Sequence, residues 1–115
     1  MKVIPTTLPE VRIIEPVVHQ DDRGFFLEAF HAPRYHQAGI DVTWVQANQS
    51  RSARNTLRGL HWQEGPHPQA KLIRVVVGEV YDVAVDIRVG SPTFGRWVGT
   101  TGHPTRSATR LSSDD

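Results

Sequence analysis

The chain of 115 residues contains no cysteine, which excludes disulfide bonds, thiolate nucleophiles and cysteine-ligated zinc. It has no apolar run long enough to cross a membrane, and no N-terminal segment with the basic start and apolar stretch of a signal peptide. The net charge is only +1, so no overall field favours nucleic acid or a membrane surface. We therefore expect a cytoplasmic protein that binds neither nucleic acid nor membrane.

Helical periodicity is also scarce, and short runs rich in valine and isoleucine alternate with turn-forming residues. This pattern predicts an all-β sandwich or barrel. The predicted strands are residues 11–14, 25–30, 42–48, 57–63, 71–77, 80–87 and 97–100. Gly78 and Glu79 are predicted to form a tight hairpin turn, and residues 33–39 one short helix that begins with Pro33 and ends at Gly39.

The composition changes near residue 100. Residues 101–115 are polar and almost free of large apolar side chains, which predicts a disordered tail after a domain of residues 1–100. A β-barrel needs further strands to close and to cover its edges. Because the sequence predicts none after residue 100, we expect the barrel to be incomplete.

The segment 58–63 has the highest density of side chains that carry chemistry. It combines a guanidinium, an imidazole, an indole and an amide, and Lys71 follows shortly after. The imidazole of His61 accepts a proton near neutral pH, and a nearby cation stabilises the enolate formed beside a carbonyl. This combination suits enolisation of an anionic substrate, although a single histidine on a strand is more often structural.

Two other readings of the polar residues compete with this one. A metal site would combine His61 with a second histidine, but Gln63 stands at the expected position and Lys71 adds positive charge, so we expect no metal. His67 lies among prolines that favour a surface turn. Asp82 and Asp86 are either a carboxylate pair for acid–base chemistry or the solvent side of a half-buried strand, and the second reading is favoured.

Six segments, in order along the chain, resemble the dTDP-4-dehydrorhamnose 3,5-epimerases. The resemblance covers residues 1–99, and several motifs in one register make it specific. The segments are DRGFFLE at 22–28, QANQS at 46–50, LRGLHWQ at 57–63, KLIR at 71–74, GEVYDVAVDIR at 78–88 and SPTFG at 91–95.

The resemblance implies a cupin-like jelly-roll fold, a homodimer that exchanges strands, and no cofactor. The implied reaction inverts C3 and C5 of dTDP-4-dehydro-6-deoxy-glucose, a dTDP-linked 4-keto-6-deoxysugar, on the route to dTDP-L-rhamnose. His61 would remove the proton beside the C4 carbonyl, and Lys71 would stabilise the enolate oxygen. The residues that match family positions holding the nucleotide and sugar are Arg23, Glu28, Gln46, Asn48 and Arg58.

The family continues past the strand at Trp97 with a tyrosine that acts as general acid, an aspartate that orients the base and a further histidine that binds substrate. No residue of this sequence is assigned to those roles, and the tail reads as a truncated or frameshifted end. Two alternatives to a working epimerase follow. One is an inactive fragment that keeps part of the nucleotide-sugar site, and the other is a small β-barrel interaction module without enzymatic activity.

Overall fold

Within residues 1–62, 70–105 and 107–110, which the computed structural model describes, the chain forms eight short β-strands and one α-helix. The elements in chain order are β1 (Lys2–Pro5), β2 (Val11–Glu15), β3 (Val18–Asp21), β4 (Gly24–Leu27), α1 (Ala32–Gln37), β5 (Lys71–Ile73), β6 (Val80–Val85), β7 (Trp97–Gly102) and β8 (Ser107–Arg110). The all-β prediction is therefore confirmed. Among the described residues, no helix is long and apolar enough to span a membrane.

The strands pair antiparallel in one sheet of four strands and two hairpins. The larger sheet has the order β1-β2-β8-β5, while β3 pairs with β4 and β6 pairs with β7. In the β3–β4 hairpin Asp21 lies opposite Gly24, so Asp22 and Arg23 form a two-residue turn, a place that their residue types favour.

Strand β2 is buried on both faces and organises the core. On one face Val11 packs with Leu8 and Ala84, which joins the larger sheet to the β6–β7 hairpin. On the other face Ile14 packs with Tyr35 of α1 and with Ile40. Because successive residues of a strand point to opposite faces, the run of apolar residues in β2 covers both sides of the sheet. Burying an isoleucine such as Ile14 stabilises the fold by about 1.5–3 kcal/mol.

Helix α1 begins one residue before the predicted segment 33–39 and ends two residues before its end, while the predicted proline and glycine signals flank it as expected. His31 is the N-cap and accepts a hydrogen bond from the Arg34 backbone N–H through Nδ1, with a proline in the first turn. At the other end Gly39 has a φ of +82°, a conformation that glycine adopts at little cost. The guanidinium of Arg12 on β2 donates to the Ala38 carbonyl at 3.1 Å and ties this end to the sheet.

Among the described residues, several of the predicted strands are absent or end earlier than predicted. The described residues of segments 42–48 and 57–63 form no strand, because their backbones find no partner strand within the described part of the chain; Gln63 lies outside it. Strand β5 ends at Ile73 and pairs with β8, whereas β6 pairs with β7. Gly78 and Glu79 therefore do not join two neighbouring strands in a hairpin.

The C-terminal segment also differs from its prediction. Strand β7 continues to Gly102, and Ser107–Arg110 form β8 between β2 and β5. A polar segment can occupy this place because strand pairing uses backbone groups, which every residue except proline carries in full. The predicted boundary at residue 100 stays a prediction, but the described part of the tail contributes a central strand.

Candidate active site

The seven candidate residues lie on three parts of the fold, and all of their side chains are exposed. Arg23 is in the turn of the β3–β4 hairpin, and Glu28 follows β4 directly. Lys71 is the first residue of β5. The segment 42–62, which the structure describes without regular secondary structure, carries the other four: Gln46, Asn48, Arg58 and His61.

In the β3–β4 hairpin, Arg23 is held by a carboxylate two residues before it. Its Nε and one terminal guanidinium nitrogen donate to Asp21 Oδ2 at 3.2 and 2.7 Å, and its backbone N–H donates to Oδ1 at 2.9 Å. The Arg23 side chain, followed by its backbone, lowers the pKa of Asp21. An open cleft of about 400 Å³ lies beside this turn. It is lined by His19, Gln20, Asp21, Arg23, Gly24, Phe25 and Phe26.

Glu28 makes a similar ion pair with a residue of α1. One guanidinium nitrogen of Arg34 lies 2.6 Å from both carboxylate oxygens of Glu28. This contact, opposed by partial desolvation, lowers the pKa of Glu28. Glu28 lies in a family motif and was predicted from the sequence. Arg34, six residues further on, has the charge to pair with it but lies outside the motifs and was not predicted.

The segment 42–62 brings some of its polar side chains into contact. Gln46 Nε2 donates to Asn48 Oδ1 at 3.3 Å. Arg58 Nε donates to Ser52 Oγ at 2.9 Å. Gly59 has a φ of +100°, and a Cβ there would lie 3.3 Å from Nδ1 of His61, so a larger residue would crowd the imidazole.

Within the described residues, hydrogen bonds connect two of the seven candidates to each other, Gln46 and Asn48. The others are each either paired with a non-candidate residue or turned towards solvent. His61 and Lys71 both present exposed side chains, one as a proton acceptor and one as a cation. An imidazole and an ammonium are the types of group that enolisation uses.

The structure also bears on the metal site considered at His61 and on the solvent-side position expected for Asp82 and Asp86. Among the described residues no three His, Asp or Glu side chains form a group that could hold a metal, while Gln63 and His67 lie outside the described residues. The solvent-side reading is wrong for Asp86, which is buried. Its carboxylate accepts hydrogen bonds from the side chains of Arg88, Ser91 and Thr93 in the loop that follows β6.

The family model described as dTDP-4-dehydrorhamnose 3,5-epimerase matches residues 5–106 of this chain. Among curated proteins, the chain is similar to the dTDP-4-dehydrorhamnose 3,5-epimerase of Shigella flexneri, with 56% identity over 100 residues. That alignment covers 86% of this chain and 55% of the relative. The corresponding protein of Salmonella typhimurium is 55% identical over 100 residues, with the same coverage. The chain spans about half the length of these curated relatives.

Solved structures of similar chains give the same result for the fold. The dTDP-4-dehydrorhamnose 3,5-epimerase of Bacillus anthracis, with TDP and PPi bound, superimposes with a TM-score of 0.91 and 40% identity. The match covers 96% of this chain and 65% of that one. The dTDP-6-deoxy-D-glucose-3,5-epimerase of Legionella pneumophila, in complex with dTDP-4-keto-L-rhamnose, gives a TM-score of 0.86 and 45% identity, covering 98% of this chain and 66% of that one. The cupin-like all-β class predicted from the sequence is confirmed.

Proposed function

Because this chain belongs to the dTDP-4-dehydrorhamnose 3,5-epimerase family, we propose that it acts on a dTDP-linked 4-keto-6-deoxysugar and inverts C3 and C5 by enolisation. The observation that carries the proposal is the extent of the match. Residues 5–106 include all seven candidates, and the described fold superimposes on chains that bind TDP or dTDP-4-keto-L-rhamnose.

In the proposed reaction, His61 is the general base. The imidazole removes the proton from the carbon beside the C4 carbonyl. The C–H electron pair forms a double bond to C4, and the π pair of the carbonyl moves onto its oxygen to give an enolate. A proton from solvent then adds to the opposite face of that carbon as the C4 carbonyl forms again, which inverts the carbon, and His61 releases its proton to solvent. General-base catalysis contributes about 10²- to 10⁴-fold to a rate, so His61 would account for a large share of the acceleration.

Lys71 has the charge that the enolate requires. A cation placed beside the C4 oxygen stabilises the negative charge that appears only after the proton leaves. Lys71 begins β5, which pairs with the central strand β8, so a strand of the larger sheet fixes its backbone. We propose that its exposed ammonium contacts the C4 oxygen of the bound sugar.

The five remaining candidates are proposed to bind the nucleotide and sugar. Arginine suits phosphate recognition because its planar group donates two parallel hydrogen bonds, a role open to Arg23 and Arg58. Glu28, Gln46 and Asn48 provide acceptors and donors for neutral polar groups of the ligand. The resemblance further supports a homodimer in the cytoplasm and a reaction that needs no cofactor, and these parts of the proposal rest on the sequence.

Solvent deuterium exchange tests the reaction directly. The chain is incubated in D₂O with dTDP-4-dehydro-6-deoxy-glucose, and deuterium at C3 and C5 is followed by mass spectrometry and NMR. We expect incorporation at both carbons, its loss in His61→Asn, and a decrease of about 10²- to 10³-fold in Lys71→Met.

The matched control is His36→Asn, which removes an exposed imidazole that pairs with Asp41 and belongs to none of the candidates. Its exchange rate should equal that of the native chain. Exchange that survives His61→Asn would place the base elsewhere. Binding of the sugar nucleotide without any exchange would instead support a chain that only holds the ligand.

A further inference from the structure

Glu28, one of the proposed ligand-binding residues, is engaged by a charged residue that no family motif includes. The carboxylate lies just after β4, and a single nitrogen of Arg34, Nη1, is 2.6 Å from both of its oxygens. About half of each side chain is exposed, 53% for Arg34 and 44% for Glu28. The pair therefore lies at the surface, where a ligand can reach it.

The backbone between these two residues is fixed by three contacts of α1. The Arg34 N–H donates to Nδ1 of His31 at 3.3 Å. The Tyr35 hydroxyl donates to the carbonyl of Ala29 at 3.1 Å, and its buried ring packs edge-on against Phe30 with 4.8 Å between centroids. Helix α1 is thus folded back on the segment that follows β4. Because that segment cannot move freely, Arg34 stays within reach of Glu28.

We propose that Arg34 is a positioning residue for Glu28 that fixes its carboxylate as an ionised acceptor for an N–H or O–H donor in the dTDP part of the nucleotide sugar. The proposal rests on the proposed function, because it assumes that Glu28 contacts the ligand. A carboxylate has about four lone-pair positions, so the single nitrogen of Arg34 leaves acceptor sites on both oxygens for the ligand. Without this contact the Glu28 side chain would lose that fixed orientation, and binding would have to restore it.

The positive charges around Glu28 also favour its ionised form. Arg34 lowers its pKa most, His31 and the N-terminal ammonium of Met1 contribute further, and partial desolvation opposes them. A lowered pKa keeps the carboxylate ionised to lower pH. Binding that depends on ionised Glu28 is therefore retained above the lowered pKa and lost as the pH falls through it. Removing Arg34 should move this loss to higher pH.

The test measures dTDP binding to the full chain by calorimetry from pH 7 down to the limit of folding, for the native chain and for Arg34→Gln, Arg34→Lys and Glu28→Gln. At pH 7 we expect Arg34→Gln to weaken binding about two- to fivefold, the range of exposed ion pairs. The ratio of its dissociation constant to the native one should rise as the pH falls, and this ratio cancels the titration of the diphosphate itself. Because one nitrogen bridges both oxygens, the lysine ammonium should restore most of the affinity.

Two controls separate positioning from a general loss of charge or of fold. Arg96→Gln removes an exposed arginine with no ion pair among the described residues, and it should bind dTDP like the native chain. In the Glu28→Gln background, Arg34→Gln should cause no further loss, because Arg34 acts through Glu28. A merely structural role for Arg34 would weaken binding equally with or without Glu28 and would leave the pH dependence unchanged.

Each outcome decides between the two proposals. Equal binding by Arg34→Gln and the native chain at every pH, with Glu28→Gln weakened, would overturn the role of Arg34 and leave the proposed function intact. Native affinity in Glu28→Gln would likewise overturn the inference, since Glu28 would not contact the ligand. Absence of dTDP binding by the native chain would overturn the proposed function and, with it, the inference.

Discussion

Asp86 shows at the level of a single residue how a buried charge is accommodated in this fold. Its carboxylate side chain is only 3% exposed. Oδ1 accepts from the backbone N–H and Nε of Arg88, and Oδ2 accepts from a terminal nitrogen of Arg88 and from the hydroxyls of Ser91 and Thr93. Arg88 also donates to Glu10, which precedes β2. Arg88 therefore connects Asp86 and the loop after β6 to the larger sheet.

We predict that Asp86→Asn destabilises the chain by about 2–3 kcal/mol at pH 7. Asparagine has an NH₂ group in place of one carboxylate oxygen. That group would face donors that need an acceptor, so the hydrogen bonds to one of the two oxygens would be lost. Arg88, then Ser91 and Thr93, lower the pKa of Asp86 against the opposing effect of burial. The stabilisation is therefore complete above the unfolded pKa of about 3.9 and is lost as the pH falls below it towards the folded pKa.

Urea unfolding of both chains at several pH values between 7 and 2 checks this prediction. The difference in the free energy of unfolding between native and Asp86→Asn chains should be constant above about pH 5 and shrink below about pH 4. Asp22→Asn, in the exposed β3–β4 turn, serves as the control and should follow the native curve. A difference that does not vary with pH would show that the charge of Asp86 contributes nothing.

The sequence identified residue types more readily than their partners. Motifs around Arg23, Glu28 and His61 made these residues candidates, but the carboxylate of Asp21 and the guanidinium of Arg34 were not linked to them. The burial of Asp86 was missed for a similar reason. Strand alternation describes β6 only to Val85, where the strand ends, and the contacts of Asp86 come from a loop whose path alternation does not predict.

Helix α1 was predicted closely because its end signals are local. A proline in the first turn and Gly39 just past the last turn act through their own φ angles, without help from distant residues. The tertiary contact at this end adds to the local signal. A Cβ at Gly39 would lie 3.2 Å from a guanidinium nitrogen of Arg12, closer than an ordinary van der Waals contact.

We predict that Gly39→Ala lowers the free energy of unfolding by about 1–2 kcal/mol, since a side chain is strained in the left-handed conformation. Gly78→Ala is the matched control, because Gly78 has a φ of +89° and a Cβ there meets no atom within 4 Å. Both changes share the conformational strain, and Gly39→Ala adds the contact with Arg12. Thermal unfolding should rank Gly39→Ala as the more destabilised chain, and the reverse order would contradict the role of this contact.

Strand pairing was harder to predict than strand composition. The apolar runs at β5 and β6 are adjacent in sequence and separated by a glycine, which favours a hairpin, yet β5 pairs with β8 across a separation of more than thirty residues. Period-two patterns report which face of a strand is buried, and they carry no information on which strand is its neighbour. The segment of β8 is polar and has no period-two pattern, so the sequence did not predict a strand there, although β8 lies inside the larger sheet.

The whole molecule exposes more surface than a folded monomer of its size. Its accessible surface is 9015 Å², whereas a compact monomer of 12.9 kDa has about 6,300 Å². Its radius of gyration is 15.0 Å, against about 13 Å for a compact domain of this length. Every side chain from residue 45 to residue 62 is exposed, including Leu57, Leu60 and Trp62. Large exposed apolar patches on folded proteins mark interaction sites, so we expect a partner to cover this segment.

We predict that this segment forms the interface of a homodimer, so the chain should have twice its 12.9 kDa mass in size-exclusion chromatography with light scattering. Leu57 is 91% exposed, and Leu57→Glu should raise the dimer dissociation constant about tenfold or more by placing a charge in an apolar interface. Val89→Glu is the control, because Val89 is equally exposed, at 96%, but lies in the loop between β6 and β7. A monomeric native chain, or equal weakening by both variants, would contradict an interface at residues 45–62, since the first removes the dimer and the second removes its dependence on this segment.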